Sequence, residues 1–284
     1  MRRTALALIV ATTFMTAATP PLQAQQLGGV LSTAEEIAAE FKEVPCKKKE
    51  RASAVQALFE RMGAKATDMK AERSRNATNL VIRGGVPAND TILIGAHYDF
   101  VAPGCGAVDN WSGIVALAHA YRTIRKLEAH KAILFVAFDS EEEGLVGSRA
   151  MADAIPKQEL PRYCAMINID SFGLALPFAL TNTSSDSLMK VTQEAAAALQ
   201  VPFYTVGIKF ADADSSSFLR REIPAVTLSG LSNKWEEILH SKKDQQGLVN
   251  ATSVYLGYRL ALSVWNRVDA APCDAFRENT PTLR

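Results

Sequence analysis

Apolar residues recur along this chain in two rhythms, and the change from one to the other marks its organisation. Through Thr33 to Lys42 and Lys49 to Met62 they return every third or fourth position, which predicts two amphipathic helices, the first opened by Ser32 or Thr33 and the second closed at Gly63. Short apolar or β-branched runs then predict strands at Asn79 to Arg83, Thr91 to Ala96, Ala132 to Phe138, Cys164 to Ile169, Phe178 to Thr181 and Ala225 to Ser229. Helical spacing returns between and after them, at Ser112 to Leu127, Leu145 to Ala154, Ser185 to Gln200, Ser216 to Arg221 and Ala251 to Arg267. The runs Ile92-Leu93-Ile94 and Ile133-Leu134-Phe135-Val136 are apolar at every position rather than at alternate ones, so those strands are buried on both faces. Strands covered on both sides and alternating with helices imply an α/β fold, a three-layer α/β/α sandwich around a mixed, mostly parallel sheet.

The N-terminus follows neither rhythm. Arg2 and Arg3 precede an apolar stretch from Ala5 to Ala18, then Pro20, Pro21 and a small residue at Ala24, the pattern of a secretory signal peptide spanning residues 1–24. The apolar run is too short to cross a bilayer core of about 30 Å. The expected protein is therefore exported, periplasmic or secreted, with no membrane association after signal removal. Residues 25–284 are expected to form one domain, with N-terminal helices over 33–63 and a catalytic core over about 78–268.

Export changes the reading of the four cysteines, Cys46, Cys105, Cys164 and Cys273, which can form two bridges in an oxidising compartment, with three connectivities open. The positions of Cys46 and Cys273 near the two ends favour a terminal clasp. Charge adds an exclusion: 31 basic and 30 acidic residues, with no long run of either sign, give no footprint for nucleic acid or an anionic membrane surface. A small molecule or peptide is the expected partner.

In a parallel α/β sheet, ligands collect beyond the carboxyl ends of the strands. Five segments there or in nearby loops carry candidate chemistry. His97 closes the strand from Thr91, and Asp99 two residues on can accept its second ring proton. Asp109 lies in the glycine-rich loop Gly104 to Gly113, where a carboxylate can cap a helix or bridge two cations. Glu141 and Glu142 follow the most hydrophobic strand, and adjacent carboxylates can divide their work, one binding metal and the other moving a proton. Asp170 ends the strand begun at Cys164, and His240 sits in a polar loop before the last helix. His119 and His130 read as an ordinary helix residue and an ordinary turn residue.

Taken in order, these segments resemble the co-catalytic zinc aminopeptidases, whose secreted bacterial members include leucyl aminopeptidases and whose fold is shared by the glutaminyl cyclases. The likeness covers roughly Thr91 to Arg267 and is most specific at Glu141-Glu142-x-Gly-Leu-x-Gly-Ser, supported by His97-x-Asp99 and Asp109-Asn110-x-Ser-Gly. It implies the zinc exopeptidase fold and two Zn²⁺ ions per chain, with Asp109 bridging, His97 and Asp170 on one ion and Glu142 and His240 on the other. It further implies Glu141 as general base, Asp99 as a second catalytic residue beside His97, a cis peptide between Asp109 and Asn110, and a peptide substrate with a free N-terminus. The charges agree: the two ions bring four positive charges, and three carboxylates with a hydroxide remove them.

The chain departs from many relatives after Asp212. Where they carry Ser-Asp-His, it reads Ala213-Asp214-Ser215, so a possible substrate-facing donor is absent, and Asp214 and Lys209 become the candidate pocket residues. Two alternatives stay open on the same fold: a single-zinc acyltransferase of the glutaminyl cyclase type, and a zinc-binding protein without catalysis. A carboxypeptidase-type relative would insert a second domain, and the stretch from Asp170 to His240 has no room for one.

Overall fold

The structure is a computed structural model that describes residues 30–277 except residues 75 and 210, so the expected signal peptide lies outside the described residues. Eight strands form one sheet: β1 (Met69–Arg73), β2 (Thr78–Gly85), β3 (Thr91–His97), β4 (Ala132–Phe138), β5 (Tyr163–Ile169), β6 (Phe178–Leu180), β7 (Thr205–Val206) and β8 (Ala225–Ser229). Their order is β1-β2-β4-β3-β5-β8-β6-β7. The centre, β4-β3-β5-β8, is parallel, and antiparallel pairs flank it at β1/β2, β2/β4 and β6/β8. The expected mixed sheet is thus present.

Among the described residues seven α-helices accompany it: α1 (Ala34–Ala39), α2 (Lys48–Arg61), α3 (Ser112–Ile124), α4 (Val146–Ala154), α5 (Asp186–Ala198), α6 (Asp214–Leu219) and α7 (Ala251–Ala270). On one face, Ala152 of α4 and Phe218 and Leu219 of α6 close over Leu93, Val136, Phe138 and Met166. On the other, Tyr121 of α3 meets Phe135 edge-on at 5.3 Å, and Phe59 of α2 packs on Tyr121 at 5.6 Å. Both faces of the central strands are therefore filled, which is why their sequences lack alternation. Thr33, rather than Ser32, caps α1: its hydroxyl accepts the Glu36 N–H at 3.2 Å while the Glu36 carboxylate accepts the Thr33 N–H at 2.9 Å. Ser32 instead donates its N–H to the Tyr258 hydroxyl of α7.

Three expectations are corrected. Two strands lie outside the sequence reading: β1, whose Lys70, Glu72 and Arg73 disguise an edge strand, and β7, only two residues long. The sheet consequently begins at Met69 rather than near residue 78. The cysteines pair as Cys46–Cys105 and Cys164–Cys273, with Cα atoms 4.4 and 4.5 Å apart, so the proposed Cys46–Cys273 clasp does not exist. Cys46 precedes α2 and pairs with the glycine-rich loop, and Cys273 follows α7 and pairs with Cys164 at the start of β5, so each bridge fastens a different segment to the core.

Candidate active site

Because β3, β4, β5 and β8 are parallel, their carboxyl ends open on one edge of the sheet, and the register His97↔Phe138 sets His97 beside the loop that follows β4. That loop carries Glu141 and Glu142. Asp170 follows the end of β5, two strands from β4 across β3. The strand ends thereby bring residues far apart in sequence to one place.

Asp109 stands at the centre. One carboxylate oxygen lies 3.1 Å from His97 Nε2 and the other 3.2 Å from His240 Nε2. His97 Nε2 is also 3.6 Å from Asp170, and His240 Nε2 is 2.9 Å from Glu142. His97, Asp109, Glu142, Asp170 and His240 thus form one connected cluster, split into two halves that share Asp109. A cavity of about 260 Å³ opens over them, with Glu141 in its wall and Leu180, Ile208, Leu231, Trp235 and Leu239 forming an apolar side.

Backbone hydrogen bonds fix the cluster. The peptide between Asp109 and Asn110 is cis. The Asn110 side chain accepts the N–H groups of Gly113 and Ser171 and donates to the Ile169 carbonyl, joining the glycine-rich loop to the end of β5. Asp244 accepts the N–H groups of Val108 at 2.7 Å and Asp109 at 3.1 Å. Asp99 accepts those of Glu141 and Glu142, and its carboxylate lies 3.3 Å from His97 Nδ1. Ser140 and Ser171, which adjoin Glu141 and Asp170, and His240 itself hold left-handed backbone conformations with φ near +60°, costing of order 1 kcal/mol each.

The electrostatics follow from this crowding. Burial pushes the His97 pKa down, but Glu141, Asp109, Asp170 and Asp99 outweigh it and hold it well above the usual histidine range. Asp109 and Glu142 raise His240 to about 10. Burial works against Asp109, yet the two histidines hold it far below an ordinary carboxylate. Glu141 is raised well above its normal value, mainly by burial. In these surroundings the imidazoles of His97 and His240 favour their protonated forms.

The donor set fits a metal better than it fits those protons. Ligand atoms of His97, Asp109 and Glu142 lie within 4.8 Å of one another, while the buried Glu142 Oε1 has no hydrogen-bond partner among the described residues. Mixed imidazole and carboxylate donors suit zinc and neighbouring divalent ions.

The family model for "Peptidase family M28" matches residues 79–261. The chain belongs to this family. As an M28 member it is 32% identical to aminopeptidase YwaD of Bacillus subtilis over 102 residues, a match that covers 36% of this chain but only 22% of that relative. In structure it resembles the LapA aminopeptidase of Legionella pneumophila, with TM-score 0.75 and 19% identity over 94% of this chain and 78% of LapA. It also resembles a glutaminyl cyclase from an Acidobacteriales bacterium, with TM-score 0.71 and 16% identity over 91% of this chain and all but 1% of that one (99%). At these identities both are likenesses of the M28-type fold.

The two substrate candidates are placed elsewhere. Lys209 is exposed and does not line the cavity, although its neighbours Ile208 and Ala211 do. Asp214 is fully buried, because α6 starts there and turns its first residues into the core; Ser215 beside it donates to the Thr183 carbonyl and meets the Thr227 hydroxyl at 2.6 Å. Burial pushes the Asp214 pKa up to about 7, although His97 and a hydrogen bond from Ser148 draw it down. Sequence reasoning gave no role to Asp244, although it stands four residues after His240, nor to Arg51, which looks like any polar residue of an amphipathic helix. His119 bonds Ser32 and His130 pairs with Asp269, both away from the cavity.

Proposed function

We propose that this M28 member is a zinc-dependent aminopeptidase working with two ions. The observation that carries the reading is Asp109, whose two oxygens face different histidines at 3.1 and 3.2 Å, as a carboxylate shared by two cations requires. His97 and Asp170 would hold one ion, Glu142 and His240 the other. Bound zinc would supply Lewis acidity, polarising the peptide carbonyl and stabilising the charge that develops on its oxygen.

The chain's own residues perform the rest. Glu141, anchored by Asp99 through its backbone N–H, takes a proton from the attacking water and passes it to the departing amine as the C–N bond breaks. Its raised pKa suits both halves of that exchange. The carboxylates around the cavity attract the free α-ammonium of a peptide, and the apolar wall of Leu180, Ile208, Leu231, Trp235 and Leu239 receives an apolar N-terminal side chain. Two disulfides support work outside the reducing cytoplasm, in keeping with the exported reading. Among the described residues no helix is long and apolar enough to cross a membrane.

The test is metal analysis joined to hydrolysis of a panel of aminoacyl anilides, N-blocked peptides and glutaminyl peptides, with and without chelator. Two zincs per chain and chelator-sensitive release of apolar N-terminal residues are expected. Cleavage of blocked substrates would overturn the exopeptidase reading, and cyclisation of glutaminyl peptides with one zinc would replace it.

A further inference from the structure

Arg51 of α2 is a charged side chain with 1% of its surface exposed, and its hydrogen bonds end on the loop that carries Asp109. Its Nη2 donates to the carbonyl oxygens of Cys105 and, at 2.9 Å, Gly106. Its guanidinium stacks 4.6 Å from the Phe100 ring and 5.1 Å from the Trp111 ring, the two aromatics at the ends of the same stretch. Asp244 grips that stretch through other groups: its carboxylate takes the N–H groups of Val108 and Asp109, and its carbonyl takes that of Cys105 at 2.8 Å. The Cys46–Cys105 bridge ties the entry to α2 to the same peptide. The loop is therefore held at its carbonyls by Arg51 and at its amides by Asp244. The guanidinium also lies near enough to Asp244, Asp99 and Asp109 to feel their charge.

We propose that Arg51 is a positioning residue for the metal centre: by fixing the Cys105 and Gly106 carbonyls it keeps the two Asp109 oxygens aimed at separate ions. The inference rests on the two-metal reading above, and its test reads metal binding directly. Arg51→Met keeps an unbranched side chain but removes the charge, the stacking on Phe100 and Trp111 and both hydrogen bonds; Arg51→Lys keeps the charge without the planar fork. Zinc affinity is measured by competition with a chromophoric chelator, with circular dichroism of the metal-free proteins as a fold check. Arg51→Met is expected to bind zinc about 10- to 100-fold more weakly, with Arg51→Lys between it and the parent. Turnover should return on zinc saturation, with KM unchanged.

Affinities of both variants within about twofold of the parent would overturn the proposal, as would lost turnover that excess zinc does not restore. If Arg51→Met does not fold, Arg51→Lys decides by the same thresholds. A parent protein that takes up no zinc in this titration overturns the two-metal reading and the inference together, whereas zinc-binding parent and variants of equal affinity overturn the inference alone.

Discussion

Asp99 receives the backbone N–H of Glu141 at 3.0 Å, 42 residues along the chain. Its second oxygen takes the N–H of Glu142 at 3.1 Å, so one carboxylate sets the direction in which two neighbouring acids leave the turn. In Asp99→Asn one of the two acceptors becomes an NH₂ group facing an N–H. The expected loss is about 10- to 100-fold in kcat/KM, with some loss of zinc affinity, read by steady-state kinetics and chelator competition. Unchanged values in both would mean that the turn holds its shape unaided.

Glu141→Gln keeps the size and the backbone contact but cannot take a proton. Zinc content should equal that of the parent while kcat falls by about 10²- to 10⁴-fold. Retained turnover would remove Glu141 from the role of base.

The protonated imidazoles make metal uptake sensitive to pH. A cation needs the lone pairs of His97 and His240, so it must displace the protons that Asp109, Glu142 and their neighbours stabilise there. Zinc affinity should climb as pH rises toward about 10, the value to which His240 is held. Calorimetry in buffers of different ionisation enthalpy should show protons released on binding; a buffer-independent heat would contradict the assignment.

Asp214 makes a different pH prediction. Its folded pKa, about 7, lies above the ordinary aspartate value of 3.8, so it contributes stability at low pH that is lost as pH rises through that window. Asp214→Asn should therefore raise the melting temperature of the metal-free protein at pH 8 relative to the parent, and by much less at pH 4. Equal effects at the two pH values would show that the Asp214 pKa is not raised on folding.

The central strands, both helical layers and the residues at the strand ends were legible because each depends on local pattern: apolar runs for β3 and β4, helical spacing for α3 and α7, and acids or histidines placed just after apolar strands. What escaped depends on distant partners. β1 has charged residues on an exposed edge and is a strand only because β2 pairs with it. Arg51 acquires its meaning from carbonyls 54 and 55 residues away, and no spacing announces that. Asp214 looks like a cap beside a pocket, and only the packing of α6 takes it into the core. The cysteine partners likewise follow from which loops the sheet brings side by side.

The two bridges divide the site residues in a way that bears on survival among proteases. His97 and Asp99 lie within the loop closed by Cys46–Cys105, and Asp170 and His240 within that closed by Cys164–Cys273, while Asp109, Glu141 and Glu142 lie between the loops. A single backbone cut inside either closed loop leaves both new ends attached to the remainder through sulfur. A molecule nicked inside either loop would therefore stay in one piece until its disulfides are reduced.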